Sequence, residues 1–268
     1  MKVILKKLSI LSFTVVLLLT YAIPASAQAN SKVLDSRTVL DQLDEQMNRA
    51  GVSLFKDSRT RVEKISPNST TINIGTNKTF TWADAGNSNY WGSGYGTYGE
   101  GFGFANEPGW ADAGTYLGFI QGNAGSWAWI GNEIYISGSG SRSATITFKG
   151  SYKGSLVTTN SNGEASARVR VSVEDLNTSS DIGGNTVFER TRTGSQLNYQ
   201  GSINAPLTVT LQAGHRYALR IGVASSCSVS LSTCQASAAF CDGDIWGQWA
   251  PAPGGNGITY TGIELRWN

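Results

Sequence analysis

The chain contains a single histidine among 268 residues, and this scarcity limits the catalytic sites that it can form. Any Ser-His-Asp or Cys-His enzyme would depend on His215, which follows the Ala213-Gly214 turn at the start of a predicted strand. A structural histidine is the simpler interpretation. The sequence also lacks a G-x-S-x-G elbow, so nothing in it indicates an α/β-hydrolase.

Basic residues are not in excess once the amino-terminal segment is set aside. The whole chain has 21 Lys and Arg against 19 Asp and Glu, a formal charge of +2. Three of the lysines, Lys2, Lys6 and Lys7, precede a predicted cleavage site, so that 18 basic and 19 acidic residues remain. Nucleic-acid-binding domains normally show a basic patch and a high pI. We therefore expect no nucleic-acid partner.

Long hydrophobic runs are absent except at the amino terminus. Residues 8–21 are mostly apolar, follow the three lysines and precede the small-residue sequence Ala25-Ser26-Ala27. This arrangement predicts a secretory signal peptide over residues 1–27, and its apolar run is shorter than the roughly 20 residues that cross a bilayer. We therefore expect a secreted, extracellular protein that begins near Gln28 and does not insert stably into a membrane.

The three cysteines, Cys227, Cys234 and Cys241, are evenly spaced near the carboxyl end. In an oxidising compartment this favours a disulfide. The Cys227–Cys234 pairing closes the shortest Ser/Thr-rich loop, and the other two pairings stay open. The remaining thiol is either buried or available for self-association with a second chain. A zinc site with His215 would lack the closely spaced cysteine pair typical of such sites, so we predict no metal there.

Residues 36–50 form the one segment with convincing helical periodicity. Leu40, Leu43 and Met47 recur at spacings of three and four with charged residues between them, and Gly51 fits a carboxyl-terminal cap. A coiled coil needs at least three heptads, whereas this segment offers about two. We therefore predict an amphipathic helix packed on a sheet rather than an oligomerising or detachable segment.

From about Ile65 the periodicity changes to two. Apolar residues alternate with polar ones around Ile146, Val171, Ile221 and Leu265. Short strands separated by Gly, Asn and Ser turns, without helices between them, predict an all-β fold. We expect an antiparallel two-sheet β-sandwich, jelly-roll-like, preceded by the short amphipathic helix; a closed barrel is the alternative. The predicted boundaries are 1–27 for the signal peptide, 28–64 for the helical segment and linker, and 65–268 for the β-sandwich domain.

Asn162-Gly163 is a strong turn signal, and it predicts a hairpin between the strands near Leu156 and Val169. The Ser/Thr-rich stretch Ser143–Asp175 around it also has the alternation of a pore-forming hairpin. This leaves a pore-forming toxin as a third functional class. The outward lysines and arginines of the stretch favour an ordinary soluble sheet.

Residues 79–141 contain five acidic residues and no Lys or Arg. Between Tyr90 and Trp110, glycines separate aromatic residues without a strict period, so we predict a long surface loop. Aromatic rings that stack on a pyranose, beside carboxylates and amides that bind its hydroxyls, are typical of secreted sugar-binding folds. This predicts a non-catalytic carbohydrate-binding or extracellular surface or matrix protein, with a carbohydrate or cell-surface glycan as its partner. The predicted ligand-binding residues are Tyr90, Trp91, Tyr95, Trp110, Asn106, Glu107 and Asp112.

Two other interpretations of this segment stay open. In one, the glycines let the loop fold back, and its aromatic residues form a small core of their own. In the other, the chain is a secreted glycoside hydrolase, which needs two carboxyl groups about 5–5.5 Å or about 6.5–9.5 Å apart. The candidate catalytic residues are then Glu100, Glu107, Asp112 and Glu133.

We predict no cofactor. The run from Gly94 to Gly99 matches G-x-G-x-x-G, but a nucleotide site needs a strand before this motif and a helix after it, and the helical pattern is missing. Asp242 and Asp244 are candidate Ca²⁺ ligands, yet the sequence around them lacks the spacing of a calcium-binding loop.

Overall fold

The computed structural model of the chain describes residues 35–49, 69–93, 102–107, 110–118, 122–230, 235–239 and 257–268. These residues form one helix, α1 (Ser36–Arg49), and thirteen strands. The strands are β1 (Thr70–Asn73), β2 (Lys78–Phe80), β3 (Ala85–Ser93), β4 (Phe102–Glu107), β5 (Trp110–Gly118), β6 (Gly122–Ser137), β7 (Ser141–Thr158), β8 (Gly163–Asp175), β9 (Ser180–Thr193), β10 (Gln196–Gln212), β11 (Arg216–Val229), β12 (Gln235–Ala239) and β13 (Gly257–Trp267).

The strands form two sheets that share one core. Sheet I has the order β1–β6–β11–β8–β9, and β3 also pairs with β6. Sheet II has the order β10–β7–β12–β5–β13–β2, and β4 pairs with β5. The predicted jelly-roll-like two-sheet β-sandwich with one short helix before it is confirmed. The described strand pairs are antiparallel with one exception, the parallel pair of β1 and β6.

The interior of the sandwich is built from residues that alternate along the strands. Val169, Val171 and Val173 of β8 and Ile146 and Phe148 of β7 belong to this core and have no exposed surface. Successive side chains of a strand point to opposite faces of the sheet, so a period of two in the sequence becomes one buried face. The strands that this period predicts around these residues are confirmed.

The chain crosses between the two sheets at the edge that β1 and β3 share. β1 pairs with the end of β6 in sheet I, β2 pairs with β13 in sheet II, and β3 returns to β6. Residues 132 and 133 of β6 lie between the β1 and β3 ladders, and there the N–H of Glu133 donates to Asp84 Oδ1 at 3.2 Å. The Asp84 carboxyl group thus accepts the backbone N–H that would otherwise pair with a neighbouring strand.

α1 begins at a capping residue. Asp35 accepts hydrogen bonds from the backbone N–H of Thr38 at 2.9 Å and from its hydroxyl at 2.7 Å. These hydrogen bonds lower the pKa of Asp35, the bond from the Thr38 hydroxyl most strongly. Because the first N–H groups of a helix have no partner within it, this cap fixes where the helix starts.

α1 packs on the outer face of sheet I. Val39, Leu40 and Leu43 are fully buried there in a cluster with Trp127 and Trp129. With the helix on one face and the sandwich interior on the other, β6 and β11 are buried along almost their whole length. The predicted amphipathic helix on a sheet is confirmed. In the described part of the chain, no helix is long and apolar enough to span a bilayer.

The hairpin predicted at Asn162-Gly163 is wrong. β7 ends at Thr158 in sheet II and β8 begins at Gly163 in sheet I, so this turn carries the chain from one sheet to the other. A turn signal shows where the chain reverses and leaves the partner strand undetermined. The stretch Ser143–Asp175 therefore consists of strands from two different sheets, and the hairpin on which the pore-forming interpretation depends is not formed.

The long surface loop predicted from Tyr90 to Trp110 is also wrong for the described residues. β3 extends to Ser93, β4 occupies residues 102–107, and β5 begins at Trp110. Glycines interrupt the side-chain alternation that indicates a strand, while their backbone groups still pair with neighbouring strands. Residues 94–101 lie outside the described residues.

Candidate functional site

The predicted ligand-binding residues that the structure describes lie on three strands. Tyr90 and Trp91 belong to β3 and pair with Ser126 and Gly125 of β6. Their strand is an edge strand of sheet I, since β6 is its one neighbour among the described strands. The other described members are Asn106 and Glu107 on β4 and Trp110 and Asp112 on β5. The predicted ligand-binding residue Tyr95 and the candidate catalytic residue Glu100 lie outside the described residues.

β4 and β5 bring aromatic and acidic positions together. Glu107 lies directly opposite Trp110 in the antiparallel ladder, and Asp112 lies opposite Phe104. Directly opposite residues in such a ladder have Cα atoms about 4.5–5.5 Å apart. Among the described strands of sheet II, β4 pairs with β5 alone, and it approaches β3 of sheet I. The structure therefore gathers the three strands at one edge of the sandwich.

Glu133, a carboxyl group of the hydrolase hypothesis, lies elsewhere on β6. It is eight positions from Gly125, which pairs with Trp91, and this separation corresponds to about 26 Å along a strand. Glu133 is buried, and Arg216 Nη2 donates to its Oε1 atom. Its Oε2 atom has no hydrogen-bond partner. The structure therefore does not bring this carboxyl to Trp91, and it does not expose it to solvent.

Trp82, on the link between β2 and β3, is 69% exposed and is the one exposed large hydrophobic residue among the described side chains. The sequence pattern does not mark Trp82 as a site residue. The neighbouring Ala83 is buried in the core. The Trp82 carbonyl oxygen accepts a hydrogen bond from Asn132 Nδ2 at 3.0 Å. The backbone is therefore anchored while the ring lies in solvent. The one sequence feature that could have indicated this residue is that a tryptophan and an acidic residue, Trp82 and Asp84, lie close together in the segment without Lys or Arg.

Asp84 lies two residues after Trp82 and is half-buried. Burial raises the pKa of Asp84 to about 6, although a hydrogen bond with the Asn132 side chain acts in the opposite direction. The Asp84 N–H donates to the Gly131 carbonyl oxygen at 2.9 Å, and the Tyr260 hydroxyl donates to Asn132 Oδ1 at 2.6 Å. These bonds to β6 and β13 fix the position of the carboxyl group at the edge of sheet I.

The raised pKa of Asp84 predicts a change in stability with pH. Because this pKa is higher in the folded chain than the usual 3.8, the group stabilises the fold fully below about pH 4 and loses that contribution as pH rises through 6. Since the carboxyl is partly solvated, we expect a contribution of about 1–2 kcal/mol. Asp84→Asn should therefore gain stability relative to wild type between pH 4 and 7 in urea unfolding. A difference that stays constant over this range would contradict the shift.

Arg168 of β8 holds α1 to sheet I through a buried charge network. This side chain is 5% exposed, and its guanidinium lies 2.5 Å from Asp44, 2.9 Å from Asp41 and 2.9 Å from Glu189. Burial raises the pKa of Asp44 despite the positive charge of Arg168. Arg170 lies 3.5 Å from the same Asp44 oxygen. The charges of this network are used to attach the helix, which indicates a structural role.

A second buried charge lies on the same face of sheet I. Arg220 of β11 is 1% exposed, its Nη2 donates to Glu174 Oε2, and its guanidinium lies 4.6 Å from the centre of the Trp129 ring. Burial raises the pKa of Glu174 to about 7, and the charge of Arg220 opposes this shift. The arginine therefore combines an ion pair with a cation–π contact in a place closed to solvent.

His215 has a structural partner. Its Nδ1 atom lies 2.7 Å from Asp175 Oδ2, and its carbonyl oxygen accepts a hydrogen bond from the N–H of Ile136 at 3.0 Å. These contacts tie the turn before β11 to β8 and β6. They agree with the structural interpretation of this histidine.

Cys227 is buried in the core, and its Sγ lies 3.2 Å from Thr115 Oγ1 of the opposite sheet. Cys234 and Cys241 lie outside the described residues, so the Cys227–Cys234 disulfide stays a prediction. Within the described ranges, no three His, Cys, Asp or Glu side chains are grouped so that they would hold a metal ion. The candidate calcium ligands Asp242 and Asp244 lie outside those ranges.

Comparisons with known proteins give weak likenesses. No protein-family model matches the chain, and no curated protein matches it. The C-terminal CBM6 of LamC, a marine laminarinase from Zobellia galactanivorans, is 13% identical over 67% of this chain and 99% of its own, with a TM-score of 0.21. A carbohydrate binding module of Cellvibrio mixtus lichenase 5A, solved with cellotriose, is 14% identical over 56% and 88%, with a TM-score of 0.15. The enzymatically active domain of bacteriophage CBA120 tailspike protein 4 is 11% identical over 68% and 19%, with a TM-score of 0.21.

Proposed function

We propose that this chain is a secreted, non-catalytic carbohydrate-binding protein whose ligand lies along the edge formed by β3, β4 and β5. The observation that carries the proposal is the pairing of Glu107 with Trp110 on two strands at that edge. An aromatic residue beside a carboxylate is the combination that binds the apolar face and the hydroxyls of one sugar ring. The pairing supports this role for the two residues.

The charge of the surrounding segment supports a ligand rich in hydroxyl groups. Residues 79–141 contain five acidic residues and no Lys or Arg, so the segment offers acceptors and no cation for an anionic ligand. A carboxylate accepts hydrogen bonds from hydroxyls and makes stronger ones than a neutral oxygen does. Neutral glycans fit this composition better than sulfated or phosphorylated ones.

Trp110→Ala is expected to weaken binding to neutral polysaccharides at least about tenfold, because one stacked ring and its buried area are lost. The measurement is retardation in native gels that contain β-glucan, galactomannan or arabinoxylan. Trp267→Ala is the matched control, since this half-buried indole lies at the end of β13 and its Nε1 donates to the Thr76 carbonyl oxygen. Unchanged retardation of Trp110→Ala would remove this residue from the site.

The same polysaccharides test the hydrolase hypothesis. Release of reducing sugar by the wild type, lost in Glu107→Gln, would replace the binding function by glycoside hydrolysis. Binding without release of sugar is the expected result.

A further inference from the structure

Trp82 exposes much more of its side chain to solvent than tryptophan residues usually do. The indole is 69% exposed, although Ala83 beside it is buried in the core. The hydrogen bond from Asn132 to the Trp82 carbonyl holds the backbone at this point. A large aromatic side chain that a fixed backbone presents to solvent loses little freedom when a ligand covers it, which favours binding.

Asp84, two residues further along the chain, supplies a polar group. Its Oδ1 atom accepts the Glu133 N–H, and Asn132 and Tyr260 support it from the sheet side. The residue as a whole is half-buried. Its position is therefore fixed by the fold, while it keeps the capacity to accept further hydrogen bonds.

We propose that Trp82 and Asp84 form a subsite for a neutral pyranose, with the indole on the C–H face of the ring and the carboxylate bound to its hydroxyls. The subsite rests on the proposed function, because it extends the same ligand from the β3–β5 edge along β3. Nothing in the pattern of aromatic residues between Tyr90 and Trp110 indicates it, since Trp82 precedes that region.

The charges around the subsite exclude acidic sugars. Asp84 and Glu133 are both acidic, and Arg216 pairs with the buried Glu133. With a pKa of about 6, the Asp84 carboxyl is mostly ionised at neutral pH, and no described cation forms an ion pair with it. A uronic acid or a sulfate ester placed on Trp82 would meet that charge and be repelled.

The position of the subsite also sets the length of the ligand. Ala85, the first residue of β3, lies six positions before Trp91, which corresponds to about 20 Å along a strand. A single sugar ring does not span this distance. A ligand that contacts both Trp82 and the β3–β5 edge is therefore an oligosaccharide or polysaccharide chain.

The test uses the full mature chain and the neutral polysaccharide that retards the wild type most in affinity gels. Trp82→Ala is expected to weaken binding at least about tenfold, and Trp82→Tyr, which keeps a ring for stacking, to stay within about threefold. Asp84→Asn should lose about tenfold through weaker hydrogen bonds. Because this variant is expected to be no less stable than wild type at neutral pH, its loss would not reflect unfolding. Polygalacturonate serves as the acidic comparison.

The possible results separate this subsite from the general function. Wild-type affinity in both Trp82→Ala and Asp84→Asn would overturn the subsite and leave the proposed function in place. If the wild type binds none of the polysaccharides, the proposed function and the subsite both fail. A preference of the wild type for polygalacturonate would overturn the assignment to a neutral sugar.

Discussion

Arg168→Ala is expected to lower the free energy of unfolding by about 3–5 kcal/mol, because it removes the buried and closer of the two cations that face the Asp44 carboxylate. Asp44 lies on the buried face of α1, and its 2.5 Å contact with Arg168 offsets the cost of removing it from water. Asp41 and Glu189 lose the same partner but are closer to solvent. Urea unfolding followed by far-UV circular dichroism measures the loss. The tryptophan emission should also shift to longer wavelength, since Trp127 and Trp129 lie under the helix.

Arg192→Ala is the matched control for this variant. Arg192 is exposed on the neighbouring strand β9, so its loss should change stability by no more than about 0.5 kcal/mol. The double variant Arg168→Met with Asp44→Leu removes both buried charges and should recover most of the loss. If Arg168→Ala were as stable as Arg192→Ala, the Arg168 network would not contribute to holding the helix on sheet I.

Arg220→Met is expected to be similarly destabilising at pH 8, by about 3–5 kcal/mol, and less so in acid. The substitution leaves Glu174 buried without its ion pair, and burial already raises the pKa of Glu174 to about 7. Below that pH the carboxyl is neutral, so a missing cation matters less. We expect the loss at pH 5.5 to be smaller by about 1–2 kcal/mol than at pH 8. Urea unfolding at the two pH values measures this difference.

Two further variants identify the origin of that effect. Arg266→Met removes an exposed arginine whose partner Glu264 lies on the same strand, and it should be nearly neutral at both pH values. Glu174→Gln combined with Arg220→Met removes the titrating group, so the pH dependence should disappear. An equal loss for Arg220→Met at pH 5.5 and pH 8 would show that lost packing on Trp129, rather than charge, determines the effect.

The periodicity of the sequence was enough to predict the class of fold. Alternation around Val171 and Ile221 marks strands because each strand buries one face in the core. The spacing of Leu40 and Leu43 marks α1 for the same reason at the helical period. Both signals are local, and they do not depend on which elements become neighbours in space.

The pairing of strands was not predictable from such local signals. Asn162-Gly163 marks a turn in the sequence, but the sheet to which the next strand belongs depends on contacts with β11 and β9. β3 and β4 were missed because glycines remove the side-chain alternation, while strands are held by backbone hydrogen bonds that glycine makes as well as any residue.

The two residues of the proposed subsite, Trp82 and Asp84, were missed for a related reason. A tryptophan side chain is more often buried than exposed, and the exposure of Trp82 follows from its place on the link between two sheets. By contrast, Trp127 and Trp129 lie within β6, and the helix buries both. The burial of a side chain depends on which residues surround it in the folded chain, and these residues are often far away in the sequence.

The crossing of the chain from β1 through β2 and back to β3 ties the alignment of one sheet to that of the other. A slip of β3 by one residue along β6 would turn its core-facing positions outward. β2 is fixed by its pairing with β13, and Asp84 is fixed by hydrogen bonds to the backbone of β6. The short link from β2 to Asp84 therefore opposes such a slip. The alignment of β3 on β6 is thus also tied to sheet II through this link.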